Sequence, residues 1–547
     1  MAESGGEAKA LNKSCVFVIG NRMVAGVERF AFKGVASNLV TYLTEVVKLS
    51  NSAAAKTVNS WCGVNFLLPL LGAFLADSFL GRYSTILASS FIYVVGLVAL
   101  TSTAIVSERN STTKTSSSSL FPLLCSLFLI SIAQGGYNPC LQAFGAEQLN
   151  NDEELPSSTK DGKGSNQKSL FFKWWYFGIC SGSLLGISLM AYVQDSFGWS
   201  LGFAIPAIAM TLSAAPFSCG TRFYTVKETK GLKQIESFVK AIKASVPNII
   251  TRRITLSSSK NSTISELELE EKPLCSHEGV TCAEALVEMP DTATHVLSDV
   301  KAVSRLLPIW AMLLTFAVIF QQPATFFTKQ GMTMKRNIGK NFMIPPASLQ
   351  SVINLSIILL MPLYDKIVIP IIQFITRSNK GIDVMQRMGI GMLLSVIAMT
   401  IAALVERKRL VEIGRTAGEL QSSPMCIFWL LPQYIILGMS DVFTVVGMQE
   451  FFYSEVPRRL RTIGMALHLS VFGVGSFLSA FLISLLDIVT ASDGEGRHSW
   501  FSNDMREARL DKYYWILALS SALSLFFFIC LCKQYKTKTD CKVLPTK

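Results

Sequence analysis

The feature that most limits what this chain can become is a series of about twelve long apolar stretches. They lie at roughly 15–40, 58–80, 84–106, 119–142, 170–194, 199–222, 303–327, 346–374, 385–405, 424–448, 463–487 and 512–534. A helix that crosses a bilayer needs about 20 mainly apolar residues. Lipid offers backbone groups no hydrogen bonds, so such segments must be helical unless they close a barrel. Composition agrees. Only 16% of the 547 residues are charged, against roughly 25% in soluble domains, and the mean hydropathy is +0.41. The expectation is an all-α, polytopic membrane protein.

The stretches divide six and six around a polar segment. The predicted organisation is a terminus at 1–14, a six-helix bundle at 15–222, a central loop at 223–302, a second bundle at 303–534 and a tail at 535–547. Basic residues favour the cytoplasmic side. Lys227, Lys230, Lys233, Lys240, Lys243, Arg252 and Arg253 therefore place the central loop and both termini there. Arg82, Lys160, Lys163, Lys168 and Arg458-Arg459-Leu460-Arg461 agree, whereas Arg407, Lys408 and Arg409 fall near the opposite face and conflict. Within the central loop, Ile235, Phe238, Val239, Ile242 and Val246 recur at helical spacing. They form either an amphipathic helix on the inner membrane surface or a connector helix packed on the protein.

Several function classes are disfavoured. The net charge of +12 reads as cationic loops beside anionic lipid, because no nucleic-acid-binding pattern accompanies it. The 12 cysteines include no CxxC pair, and the four histidines are scattered, so neither a disulfide framework nor a metal site is expected. Walker A, GxSxG and HExxH motifs are absent, which argues against ATP-driven transport and against an enzyme. No catalytic residue and no cofactor is expected. The N-terminus lacks the pattern of a cleavable signal peptide.

Charges inside apolar spans mark function by default. The first span holds Glu28, Arg29 and Lys33 within Ala25-Gly26-Val27-Glu28-Arg29-Phe30-Ala31-Phe32-Lys33-Gly34. Arg29 and Lys33 are four residues apart, hence on one face. Two cations against one carboxylate favour an anion, although Lys33 could instead pair with Asp441. Asp441 lies within the tenth span, in Gly438-Met439-Ser440-Asp441-Val442-Phe443. Glu450 and Glu455 lie nearer the inner end, where Arg458, Arg459 or Arg461 are expected partners. The seventh span breaks at Phe320-Gln321-Gln322-Pro323, which makes Phe320 and Gln322 pocket-lining candidates. Asn110-Ser111-Thr112 is a glycosylation sequon on the predicted non-cytoplasmic side.

Longer motifs carry a family resemblance. Gly72-Ala73-Phe74-Leu75-Ala76-Asp77-Ser78-Phe79-Leu80-Gly81-Arg82-Tyr83 resembles the cytoplasmic signature of major facilitator transporters, with gating roles implied for Asp77 and Arg82. Phe171-Phe172-Lys173-Trp174-Trp175-Tyr176-Phe177, Phe144-Gly145-Ala146-Glu147-Gln148-Leu149, Leu307-Pro308-Ile309-Trp310-Ala311, Ile344-Pro345-Pro346-Ala347-Ser348 and Glu450-Phe451-Phe452-Tyr453 resemble signatures of the plant nitrate/peptide branch of the proton-coupled oligopeptide transporters. The resemblance spans about residues 15–530. It implies the major facilitator fold of two six-helix halves, a site at mid-membrane between them, and symport of a small molecule or anion with protons. Tyr176 and Trp175 are further wall candidates, or else packing residues.

The departures from that family are informative. Relatives carry Glu-x-x-Glu-Arg in the first span, but Ala25 replaces the first glutamate and Lys33 stands at a usual tyrosine. Relatives carry Gly-Gly-Ile-Lys-Pro in the fourth span, but the run here is Gly135-Gly136-Tyr137-Asn138-Pro139, so Asn138 replaces the lysine. Breaking a buried pair on one side costs about 3–5 kcal/mol, while removing both partners can be nearly neutral. Loss of both members thus implies a remodelled network and weakened proton coupling. One nitrate transporter of the family has a histidine where Phe320 stands. The resemblance ranks nitrate first, then di- or tripeptides or other small metabolites. A sensor that no longer transports is an alternative of another class. The form of the first span resembles a subgroup with vacuolar-membrane members, which favours that membrane over the plasma membrane.

Overall fold

The computed structural model describes residues 23–76, 81–109, 120–150, 161–219, 303–339, 342–363, 383–415, 425–456, 461–491 and 499–543; among the helical ones, the side chains of 74, 142, 143, 145–150, 161–176, 216, 219, 361, 362, 461–463, 491 and 535–543 lie outside the description. The central segment with its expected amphipathic stripe, the sequon, Asp77, Arg458 and Arg459 also fall outside it.

A helix occupies each of the twelve expected spans. The first comprises α1 (23–36) and α2 (Leu39–Glu45). Then follow α3 (Asn51–Leu75), α4 (Arg82–Arg109), α5 (Leu120–Asn150), α6 (Asp161–Phe197) and α7 (Trp199–Cys219). The second half contains α8 (Leu307–Phe320), α9 (Phe326–Met332), α10 (Ser351–Leu363), α11 (Val384–Arg415), α12 (Leu431–Ser454), α13 (Arg461–Ala491) and α14 (Leu510–Val543). Eight helices among the described residues are long and apolar enough to cross a membrane. Phe91, Phe121, Leu212 and Leu519 lie on the outside of the bundle, more than two-thirds exposed. Such residues belong against lipid, not water.

The broken seventh span follows from its sequence. Pro323 has no N–H for the Ile319 carbonyl, so α8 stops at Phe320, a 3₁₀ turn covers Gln322–Ala324, and α9 resumes at Phe326. The first span breaks at 37–38, and Gln350 Nε2 donates to the Ser37 carbonyl at 2.7 Å, satisfying a group that the break exposes.

Small residues set the helix spacing. A Cβ on Gly182 would lie 2.1 Å from the Gly26 oxygen, and one on Gly186 would lie 2.4 Å from that of Phe30. Backbone contact between α1 and α6 therefore needs glycine at both positions. Pro139 lies inside α5, which continues past it, and removes one N–H donor from the helix. The Gly135 carbonyl that it leaves free of an intrahelical bond lies against Gly72 of α3.

Helices α1–α7 share one apolar core, and those after residue 303 share two larger clusters and contribute to a small third one. The halves meet mainly along α3 with α13 and α6 with α10. Phe66 stacks on Phe472 at 5.3 Å, and Asn59 Nδ2 donates to Ser479 Oγ at 3.0 Å. At the outer face, opposite the end that leads into 220–302, a polar clasp joins them. Asp487 accepts from Ser52 Oγ and Ser499 Oγ, each at 2.6 Å, with Lys56 Nζ at 3.7 Å. Asn51 Nδ2 donates to the Ser502 carbonyl at 2.9 Å, and Arg336 lies 3.5 Å from Asp195. The described halves are thus closed at the outer face.

Among the conflicting cations at 407–409, Arg409 has a structural answer. Helix α11 continues to Arg415, beyond the expected end near 405. Arg409 is fully buried and forms a two-point pair with Glu406 at 2.5 and 2.7 Å. Lys408 Nζ lies 3.6 Å over the Trp429 ring. Arg409 is therefore engaged inside the fold, while Lys408 stays exposed at the surface against the Trp429 ring.

Candidate substrate site between the two halves

The close α1–α6 crossing holds α1 against the rest of its half, and its charged face follows. Glu28 is 1% exposed. Its Oε1 accepts from Gln134 Nε2 of α5 at 2.9 Å, and its Oε2 lies 3.2 Å from Arg29 Nε. Tyr93 of α4 and Tyr137 of α5 lie within electrostatic range. Glu28 is thus caged within one half by α1, α4 and α5. The Arg29 side chain keeps about a quarter of its surface exposed, 26%. One carboxylate oxygen occupies only its Nε, which leaves the terminal nitrogens as a fork for a planar anion.

Lys33 lies within electrostatic range of Cys62 of α3, of Arg29 and Glu28, and of Asp441 across the interface. Asp441 on α12 is 5% exposed, and its Oδ1 has no hydrogen-bond partner. Ser440 Oγ beside it donates to the Gly391 carbonyl at 2.6 Å and ties α12 to α11. The arrangement brings one cation of the first half towards one carboxylate of the second. Glu28, Arg29, Lys33 and Asp441 balance formally, but Glu28 already has two partners. The candidate groups for a solute are the Arg29 fork, Lys33 and one oxygen of Asp441.

The other expected residues are placed as follows. Ala25 is buried at 4%, so the site of the missing glutamate is packed apolar. Asn138 is half-buried, one helical turn after Gln134. Phe320 packs on Phe472 at 5.0 Å, at the seam between the halves. Gln322 is fully buried, its Nε2 donates to the Val318 carbonyl at 3.0 Å and to Tyr513 Oη of α14 at 3.2 Å, and its Oε1 has no hydrogen-bond partner. Glu450 pairs with Arg387 of α11 at 2.5 Å; its expected partners Arg458 and Arg459, and the side chain of Arg461, lie outside the described residues. Arg82 opens α4. The Tyr176 and Trp175 side chains are outside the described residues.

Two residues escape the sequence reading. Gln134 is an ordinary polar residue by composition, and its only signal is the i, i+4 spacing to Asn138. His468 on α13 is 6% exposed, its Nδ1 has no partner, and its ring meets Phe472 edge-on at 5.7 Å. It shares a helix face with Phe472, which packs on Phe320 at the end of α8, and with Ser476, which accepts from Gln321 Nε2 just beyond it.

Known proteins share this architecture. A family model described as "POT family" matches residues 83–501. Protein NRT1/PTR FAMILY 5.9 of Arabidopsis thaliana is 53% identical over 560 residues, covering 98% of this chain and 97% of the relative. Protein NRT1/PTR FAMILY 5.10 of the same plant is 42% identical, covering 96% and 93%. Among solved structures, an auto-inhibited POT family peptide transporter matches with a TM-score of 0.67 at 20% identity, over 95% of this chain and 97% of that one. A peptide transporter POT in complex with sulfate matches with 0.63 at 14% identity, over 95% and 94%. At these identities the structural likeness speaks for the fold.

Proposed function

This chain belongs to the POT family and is a multi-pass membrane transporter of a small solute; on that basis we propose nitrate as its first substrate, carried by alternating access of the two halves. The observation behind the reading is the pair Arg29 and Lys33 on α1. Glu28, the carboxylate next to them in sequence, is already occupied by Gln134 and Arg29. A small planar anion matches the guanidinium fork, and Lys33 adds a point charge. Closure at the outer face implies that the solute leaves or enters from the opposite end in this state.

Proton coupling is weaker than in relatives with the full first-span and fourth-span charge set. Ala25 and Asn138 remove two members of that set, and an uncharged amide holds Glu28. Vacuolar membrane is the preferred location. A di- or tripeptide is the second reading. It is favoured by the unpartnered Oδ1 of Asp441 within range of Lys33, an arrangement able to hold the amine and carboxylate of one zwitterion.

Purified protein in liposomes, offered nitrate or dipeptides across a pH series, tests both readings. Nitrate accumulation with a shallow pH dependence supports the first. A steep proton-driven current of fixed stoichiometry rejects weakened coupling. Binding without flux turns the protein into a sensor.

A further inference from the structure

Gln134 makes a contact that the transport reading does not require by itself. It is 2% exposed, in the middle of α5, where a polar amide needs a specific partner. That partner is Glu28 Oε1 at 2.9 Å. The other oxygen, Oε2, faces Arg29 Nε at 3.2 Å. Arg29 and Glu28 are consecutive, so a contact between them competes with any outward use of the guanidinium. With the Gln134 amide on Oε1, that oxygen is held towards α5 with one acceptor site taken, and the contact with Arg29 is made by Oε2 at 3.2 Å. With Oε1 free, the carboxylate can take two guanidinium N–H groups in a fork, the stronger arrangement.

We infer that Gln134 is a positioning residue for Arg29: by holding one oxygen of Glu28 towards α5 it opposes a two-point Glu28–Arg29 pair and keeps the guanidinium turned towards the space between the halves. The backbone supports this role. Gly135 and Gly136, directly after Gln134, bring α5 against Leu68 of α3 and Ser89 of α4. That packing fixes the amide at the level of Glu28. The titratable or charged groups facing Glu28 are Arg29 and Lys33 on α1, Tyr93 on α4 and Tyr137 on α5. Gln134 is the one that donates to Oε1.

The functional half of this inference rests on the anion reading of Arg29, whereas the positional half does not. Phenylglyoxal modification of Arg29, followed by peptide mass spectrometry on full-length protein in liposomes, reads its availability without any substrate. Gln134→Leu should slow that modification by about tenfold, the scale of one hydrogen bond to a charged group. It should raise the KM for nitrate by a similar factor with the maximal rate per folded molecule retained. Gln134→Glu can donate to Glu28 only when protonated. Its KM relative to wild type, measured at each pH, should therefore fall as the pH is lowered. An Arg29 modification rate unchanged in folded Gln134→Leu overturns the inference, as does a KM ratio for Gln134→Glu that ignores pH. If wild-type protein moves neither nitrate nor peptides, the proposed function fails, and the modification rate alone still decides the positioning role.

Discussion

Replacing Glu406 by alanine isolates the cost of a charge stranded in the core. Arg409 and Glu406 are both fully buried. The guanidinium makes two bonds to Glu406, one to Thr333 Oγ1 at 2.8 Å and one to the Met505 carbonyl at 2.8 Å. It thereby ties α11 to the segment after α9 and to the connection before α14. Glu406→Ala keeps the last two contacts but leaves the cation without a counter-charge. Removing one partner of a buried pair costs about 3–5 kcal/mol. At about 2 °C per kcal/mol for a unit of roughly 250 residues, the melting temperature falls by about 6–10 °C. Size-exclusion chromatography after heating detergent-solubilised protein reads this directly. The double variant Glu406→Leu/Arg409→Met removes both charges and should recover most of the loss, because apolar replacements of a buried pair are close to neutral. A single variant that melts within about 2 °C of wild type would overturn this expectation. So would a double variant that melts below the single one.

Other outcomes follow from the same geometry. Asp487→Ala removes the centre of the outer clasp and its bonds to Ser52 and Ser499. Ala55→Cys, on an α3 residue packed into the core of the second half, should then react with an impermeant maleimide at least about fivefold faster, the equivalent of one ordinary hydrogen bond. Gly182→Val drives a side chain into the Gly26 backbone, where even a Cβ would lie only 2.1 Å from the oxygen, and should abolish the monodisperse folded peak in chromatography. Gly414→Ala, with nothing within 4 Å, should leave that peak unchanged. Arg387→Ala cuts the pair with Glu450, which is 52% exposed. Because exposed pairs contribute about 1 kcal/mol or less, it should shift melting by no more than about 2 °C.

Much of the fold is legible because lipid imposes so few solutions. Apolar stretches of spanning length announce where the helices lie, and Gln322-Pro323 announces the break in the seventh span. Interior polar chemistry is less legible. The three cations at 407–409 read as loop charge, although Glu406 stands three residues before Arg409, the spacing at which helix neighbours meet. Glu450 also meets Arg387 on α11, a partner 63 residues away that no local spacing announces. Gln322 reads as a pocket residue from its place in a broken helix; the direction of the 3₁₀ turn, which sequence does not reveal, aims it at Tyr513. Gln134 carries no charge and gives no signal beside the more conspicuous lysine-to-asparagine change at Asn138. Hydropathy sees which residues are polar, not which polar groups meet.

Whether Arg29 and Lys33 form an anion site in a working transporter is decided by the uptake of isotopically labelled nitrate into proteoliposomes. Wild type, Arg29→Ala and Lys33→Tyr are compared at matched amounts of folded protein. Saturable uptake by wild type is expected, with a KM raised about tenfold or more by either substitution, the scale of one charge-assisted contact, and a larger rise for the pair. Uptake indistinguishable from empty liposomes, or a Lys33→Tyr variant with wild-type KM, would contradict an anion site at these two residues.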